Sequence, residues 1–130
     1  MQPFLKPLVL VAFFFVFFDA IVLGLLRSFF DKQLISVQGS PISLDPVAAA
    51  ICYLILVTGL YYFVIREGLP LLHAFLLGLL VYGTYETTNK AIVKKWNWTT
   101  VLIDTTWGGI LFTLTTGVVY YILGKHISVM

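Results

Sequence analysis

Apolar residues fall in four long runs separated by short polar breaks, with neither the two-residue alternation of a half-buried strand nor the striped pattern of a soluble helix. A bilayer-spanning helix needs about 20 mostly apolar residues. The runs that qualify are Leu8 to Leu26, Pro46 to Ile65, Leu71 to Thr88 and Trp98 to Leu123. The first carries Asp19, is too long for a signal-peptide core and lacks a small-x-small cleavage site, so it is read as a retained span. Between the first and second runs lie 18 residues (SFFDKQLISVQGSPISLD) that are too polar to span. Their SFFDKQLISV portion predicts a short amphipathic helix along the membrane interface.

The breaks carry the expected punctuation. Asp45-Pro46 places a capping carboxylate before a proline at the first helical position, where no amide hydrogen is missed. Glu67-Gly68-Leu69-Pro70 supplies a glycine stop and a proline start, which predicts a tight antiparallel hairpin of the second and third spans. Asn97 is placed to cap the fourth. The predicted architecture is an all-α, four-span antiparallel bundle, one integral membrane domain over residues 1–130.

Composition agrees. Of the 130 residues 60% are hydrophobic and 11% charged, against roughly a quarter charged in an ordinary soluble chain. So few charges cannot cover a small soluble domain, which excludes a soluble enzyme, a nucleic-acid module and a disordered tail. A net charge of +2 is too small to imply an anionic partner, and the single cysteine, Cys52, excludes an internal disulfide.

With the N-terminal side called A and the opposite side B, the alternation of spans puts three acids in the leaflet toward B: Asp19, Glu86 and Asp104. Charges inside spans cost about 2.5–3.5 kcal/mol each on insertion scales, so they usually face partners or water within the bundle. Helical spacing enlarges the group. Tyr82, Tyr85, Glu86 and Asn89 share a face of the third span, while Asp104 and Trp107 share one on the fourth. Arg27, two turns after Asp19, and Lys90, one turn after Glu86, are the candidate counter-ions. The predicted site is thus a polar knot of Asp19, Arg27, Tyr82, Tyr85, Glu86, Asn89, Lys90, Asp104 and Trp107.

Such a knot has a structural explanation, in which hydrogen bonds between helices fix registry. It also has a functional one, a transport or proton-relay site. Catalysis ranks third, because no nucleophile, metal cluster or phosphate loop accompanies the carboxylates. No cofactor is expected.

The segment YGTYETTNKAIVKKW followed by DTTWGG resembles the pattern of an uncharacterised family of small four-helix membrane proteins, found in bacteria and in some large DNA viruses. Tyr82, Thr84, Tyr85, Thr88, Asn89, Ala91, Trp96, Asp104, Trp107 and Gly108 fall on that pattern, with Glu86 where Asp is usual. Weaker matches are Asp19, Phe29-Phe30 and the stretch Tyr53 to Gly59, while Val22 departs from an expected tryptophan. The resemblance implies the fold and the side-B cluster but no activity. For a viral member it implies the internal membrane of a large virus, with capsid-associated partners.

Other signals have plain explanations. Asn97-Trp98-Thr99 is a chance-level sequon abutting the membrane. His73 and His126 lie toward side A without a second metal ligand. Cys52 reads as a small packing residue, forming with Ala48 a pair that permits close helix approach. Trp96, Trp98 and Tyr120-Tyr121 read as interface anchors. Arg27, Lys32, Lys90, Lys94 and Lys95 on side B outnumber Lys6, Arg66 and Lys125 on side A, which places side B in the cytoplasm or its equivalent.

The leading expectation is a non-enzymatic structural or interaction protein in contact with lipid and other membrane proteins, and not with nucleic acid. The rival is a small transporter or proton pathway, working as a homo-oligomer because four short helices enclose little pore volume. A hydrated cavity at the acids would favour the rival, and a dry, paired knot the structural reading. In a charge-paired knot, removing the Asp104 charge is expected to strand its partner.

Overall fold

The computed structural model describes residues 5–130, which form five helices and no strand. They are α1 (Leu5–Leu25), α2 (Arg27–Gln38), α3 (Pro46–Leu60, continued by a π-helical turn Tyr61–Ile65), α4 (Leu71–Ile92) and α5 (Trp98–Leu123). Three of them, α1, α3 with its π turn, and α5, are long and apolar enough to cross a membrane. α4 is equally long, at 22 residues. Its last turns hold Tyr82, Tyr85, Glu86, Asn89 and Lys90, and these dilute its apolar character.

Local chemistry sets the ends. Asp45 Oδ1 accepts from the Val47 and Ala48 amides at 3.0 and 3.1 Å, capping α3. The α3–α4 reversal uses Gly68 at φ 65°, a left-handed conformation that favours glycine. Gly124, at φ 72°, closes α5 in the same way. Asn97 stands at the start of α5, but its side chain makes no capping bond. Gln33 reaches in from α2 instead, and its Oε1 accepts from the Asn97 amide at 2.9 Å and the Thr100 hydroxyl at 2.7 Å.

α5 is the hub, with antiparallel neighbours on two sides. It packs most extensively on α4 and next on α1, while α3 packs on α1. Glycine explains the intimacy of α4 with α5. A Cβ on Gly78 would fall 2.3 Å from the Gly108 carbonyl oxygen, and one on Gly109 would fall 2.8 Å from the Phe75 ring. These backbones approach closely because small residues meet where they cross.

Two expectations are corrected here. The turn between α3 and α4 is tight, yet the two helices share no extended interface, because α4 is committed to the glycines of α5 and α3 to α1. The Ala48–Cys52 pair does not mediate close packing either. Both residues are exposed and face an outer groove with Ile51 and Ile55.

The core lies along the α1–α5–α3 contact. Phe15 sits edge-on to both Tyr53 and Phe112, at centroid distances of 6.1 and 5.5 Å, and Val11, Leu111 and Val119 belong to the same buried cluster. Outward faces are apolar too. Val9, Phe13, Ile21, Ile51, Leu54, Ile55 and Phe63 are all exposed, as suits a surface bathed in lipid tails.

Candidate functional site

Asp19 occupies the second half of α1 and is 6% exposed. Its Oδ2 accepts from the Tyr53 hydroxyl of α3 at 2.5 Å, and its Oδ1 accepts from the Trp107 indole N–H of α5 at 2.9 Å. One carboxylate thus ties three helices together, with a donor on each oxygen. Tyr53 is brought to this point by the antiparallel run of α3 along α1. Trp107 lies five residues, more than one turn, before Phe112, which packs on Phe15.

A second node lies between α4 and α5. Glu86 is 2% exposed, and its Oε1 accepts from the Trp96 indole N–H at 2.7 Å. Trp96 is on the short α4–α5 connection, which folds back so that the ring is buried. The expected interface anchor is therefore a core donor. Trp98 stays outside at 62% exposure, with the Lys90 ammonium 5.7 Å from its ring centre. Asp104 lies beside Glu86, within reach of a side-chain hydrogen bond. Tyr82 stands between the two nodes. Its ring lies where a Cβ on Gly108 would be, and it meets Phe112 edge-on at 6.1 Å.

The structure therefore gathers Asp19, Tyr82, Glu86, Asp104 and Trp107. It leaves out Arg27, whose Nε is 3.6 Å from Asp31 and whose side chain is 71% exposed. The reason is local: α1 breaks at Leu26, and Arg27 begins α2, where Asp31 is one turn ahead on the same face. Lys90 goes to Trp98. Tyr85 faces outward, and Asn89, one turn on, is half-buried. Among the described residues the ion pairs are Arg27–Asp31 and Arg66–Glu67, so Asp19 and Glu86 are held by neutral donors and not by cations.

Gln33 is a site residue that the sequence reading misses. It is 2% exposed; besides its Oε1 contacts, its Nε2 donates to the Lys95 carbonyl at 2.9 Å. It docks α2 on the α4–α5 connection, next to Trp96. A glutamine in a polar stretch carries no signal of burial, so only its neighbours reveal it. Tyr120 is a similar case at the other end, buried rather than interfacial, with its hydroxyl donating to the Leu69 carbonyl at 2.7 Å.

This arrangement covers α1 to α5, and a protein-family model covers the same span. Residues 4–121 match the family described as "Predicted membrane protein (DUF2177)". The chain belongs to this family of predicted membrane proteins. Comparison with curated proteins and with solved structures finds no match. Membership agrees with the three span-length apolar helices and places the chain in a membrane.

Proposed function

We propose that the chain is a non-enzymatic, multi-pass structural or interaction protein whose intramembrane hydrogen bonds lock helix packing. The Asp19 clasp carries this reading. A buried carboxylate that receives a tyrosine from one helix and a tryptophan from another sets the registry of three helices at once. The Glu86–Trp96 bond fastens the end of α4 to the connection that leads into α5.

On this reading α4 is a fourth span. Its 22 residues rise roughly 33 Å, enough for a hydrocarbon core of about 30 Å, and its polar turns lie at one end against α5. α2 then lies along the side-B interface, fastened by Gln33. Side B faces the cytoplasm or its equivalent, by its excess of basic residues. The partners are lipid and other membrane proteins, and capsid-associated proteins where the membrane is the internal one of a large virus particle.

A second reading, a proton pathway, is favoured by one observation: Asp104 beside Glu86 without a basic partner, an arrangement of acids suited to a relay. The same observation revises what Asp104→Asn should do. Its nearest charged neighbour is another acid, so an amide in its place donates to Glu86 and strands no cation.

Asp19→Ala, by contrast, strands both the Tyr53 and Trp107 donors, at about 1–3 kcal/mol each. The structural reading expects Asp19→Ala to lower the melting temperature in detergent clearly, Asp104→Asn to leave it nearly unchanged, and proteoliposomes to hold a pH gradient as well as protein-free vesicles. A wild-type proton leak that Asp104→Asn abolishes at unchanged melting temperature would establish the relay instead.

A further inference from the structure

The side-A end holds a recess that the Asp19 and Glu86 nodes do not use. It has a volume of about 390 Å³ and is lined by Lys6 of α1, Tyr61, Ile65 and Arg66 at the end of α3, and Leu123 and Lys125 at the end of α5. Three cations, one on α1 and the others just past the ends of the α3 π turn and of α5, thus ring one opening with an apolar floor. Arg66 is held in place from two sides. Its Nη2 is 3.1 Å from Glu67 Oε2, and its guanidinium carbon lies 4.3 Å from the Tyr62 ring centre. Lys125 follows the Gly124 turn, which ends α5, and its ammonium lies against the Gly68 turn.

The backbone around the recess is also tied down. The tail after Lys125 runs back to α4, where the Leu71 and Leu72 amides donate to the Ser128 and Val129 carbonyls at 2.7 and 2.8 Å. The Tyr120 hydroxyl fastens α5 to Leu69. The cations therefore project from fixed helix ends and are not carried on a loose loop.

Like charges converge here against one acid, Glu67, which is already engaged by Arg66. A set of this kind, at the level where spans leave the bilayer, matches a phosphate ester whose acyl or apolar part lies against Tyr61, Ile65 and Leu123. We propose that Lys6, Arg66 and Lys125 form a binding site for a phosphate-bearing anion, the headgroup of an anionic phospholipid being the membrane source of that chemistry. The proposal goes beyond the structural reading and is independent of the acid cluster.

The test uses the full chain in a zwitterionic detergent. Short-chain phosphatidylglycerol, phosphatidylcholine and inorganic phosphate are titrated separately, with thermal melting and native mass spectrometry as readouts. Phosphatidylglycerol is expected to raise the melting temperature and stay bound, and phosphatidylcholine to do neither. The double variant Lys6→Gln with Lys125→Gln should bind roughly thirtyfold more weakly, and Lys6→Arg with Lys125→Arg should bind nearly as wild type. Binding of phosphatidylglycerol alone identifies a lipid headgroup, whereas equal binding of inorganic phosphate identifies a soluble phosphate in the same site. Failure of both anions to bind overturns the proposal. So does an equal loss in the side-B control, Lys94→Gln with Lys95→Gln, which would mean that overall charge and not this recess attracts the lipid.

Discussion

Trp96 and Trp98 are two residues apart, alike in chemistry and opposite in circumstance. Trp96 is 8% exposed and donates to the buried Glu86, whereas Trp98 is exposed beneath Lys90. Removing the indole N–H at position 96 leaves a buried carboxylate oxygen without its donor, which costs about 1–3 kcal/mol. Trp96→Phe should therefore lower the melting temperature in detergent by several degrees. Trp98→Phe loses part of an exposed cation–π contact and should stay within about 0.5 kcal/mol of wild type. Equal effects of the two changes would mean that the Glu86–Trp96 bond does not help hold α4 to α5.

At the scale of elements, the α4–α5 pair rests on shape as much as on polarity. Hydrophobic burial gives little drive between helices in lipid, since tails are as apolar as leucine, so close contact has to come from small residues and hydrogen bonds. Gly78 meets the Gly108 carbonyl so closely that even one methyl group forces the helices apart. Overpacking of this kind costs about 1–3 kcal/mol, so Gly78→Ala should loosen the pair and lower melting accordingly. Gly59 in α3 is the control, because nothing lies within 4 Å of its would-be Cβ. Gly59→Ala should be neutral or stabilising by about 0.5–1 kcal/mol through the better helix propensity of alanine. Gly78→Ala melting like Gly59→Ala would show that the crossing tolerates separation.

The whole molecule has a direction in the membrane, and its charges set it. Side B carries five basic residues against three on side A, and the loop around Ser40 is exposed on side B. Cys52 is exposed on α3, so it is first replaced by serine. A cysteine introduced by Ser40→Cys should then react with an impermeant thiol reagent only after the membrane is permeabilised. Labelling in intact cells would invert the assignment and put the Lys6–Arg66–Lys125 recess in the cytoplasmic leaflet.

Much of this molecule is written in local signals. The apolar runs foretell α1, α3 and α5, Asp45-Pro46 and Gly68 mark helix ends where they are found, and three acids inside apolar helices announce themselves by their cost in lipid. What each side chain faces is another matter. α1 and α3 are apolar nearly all round, so no stripe says which face meets protein and which meets lipid. The pairing of Asp19 with Tyr53 and Trp107 spans 34 and 88 residues, and Gln33 reaches Thr100 across 67. Charge rules point to Arg27 and Lys90 as partners for the acids, yet the break at Leu26 gives Arg27 to Asp31, and the fold of the α4–α5 connection gives Glu86 to Trp96. Residence in the membrane and the positions of the helices follow from the chain's own composition, because lipid selects them one segment at a time. The partners of its buried polar groups were decided by tertiary structure, because a hydrogen bond depends on which helices lie side by side, and here glycine contacts and one short connection settle that.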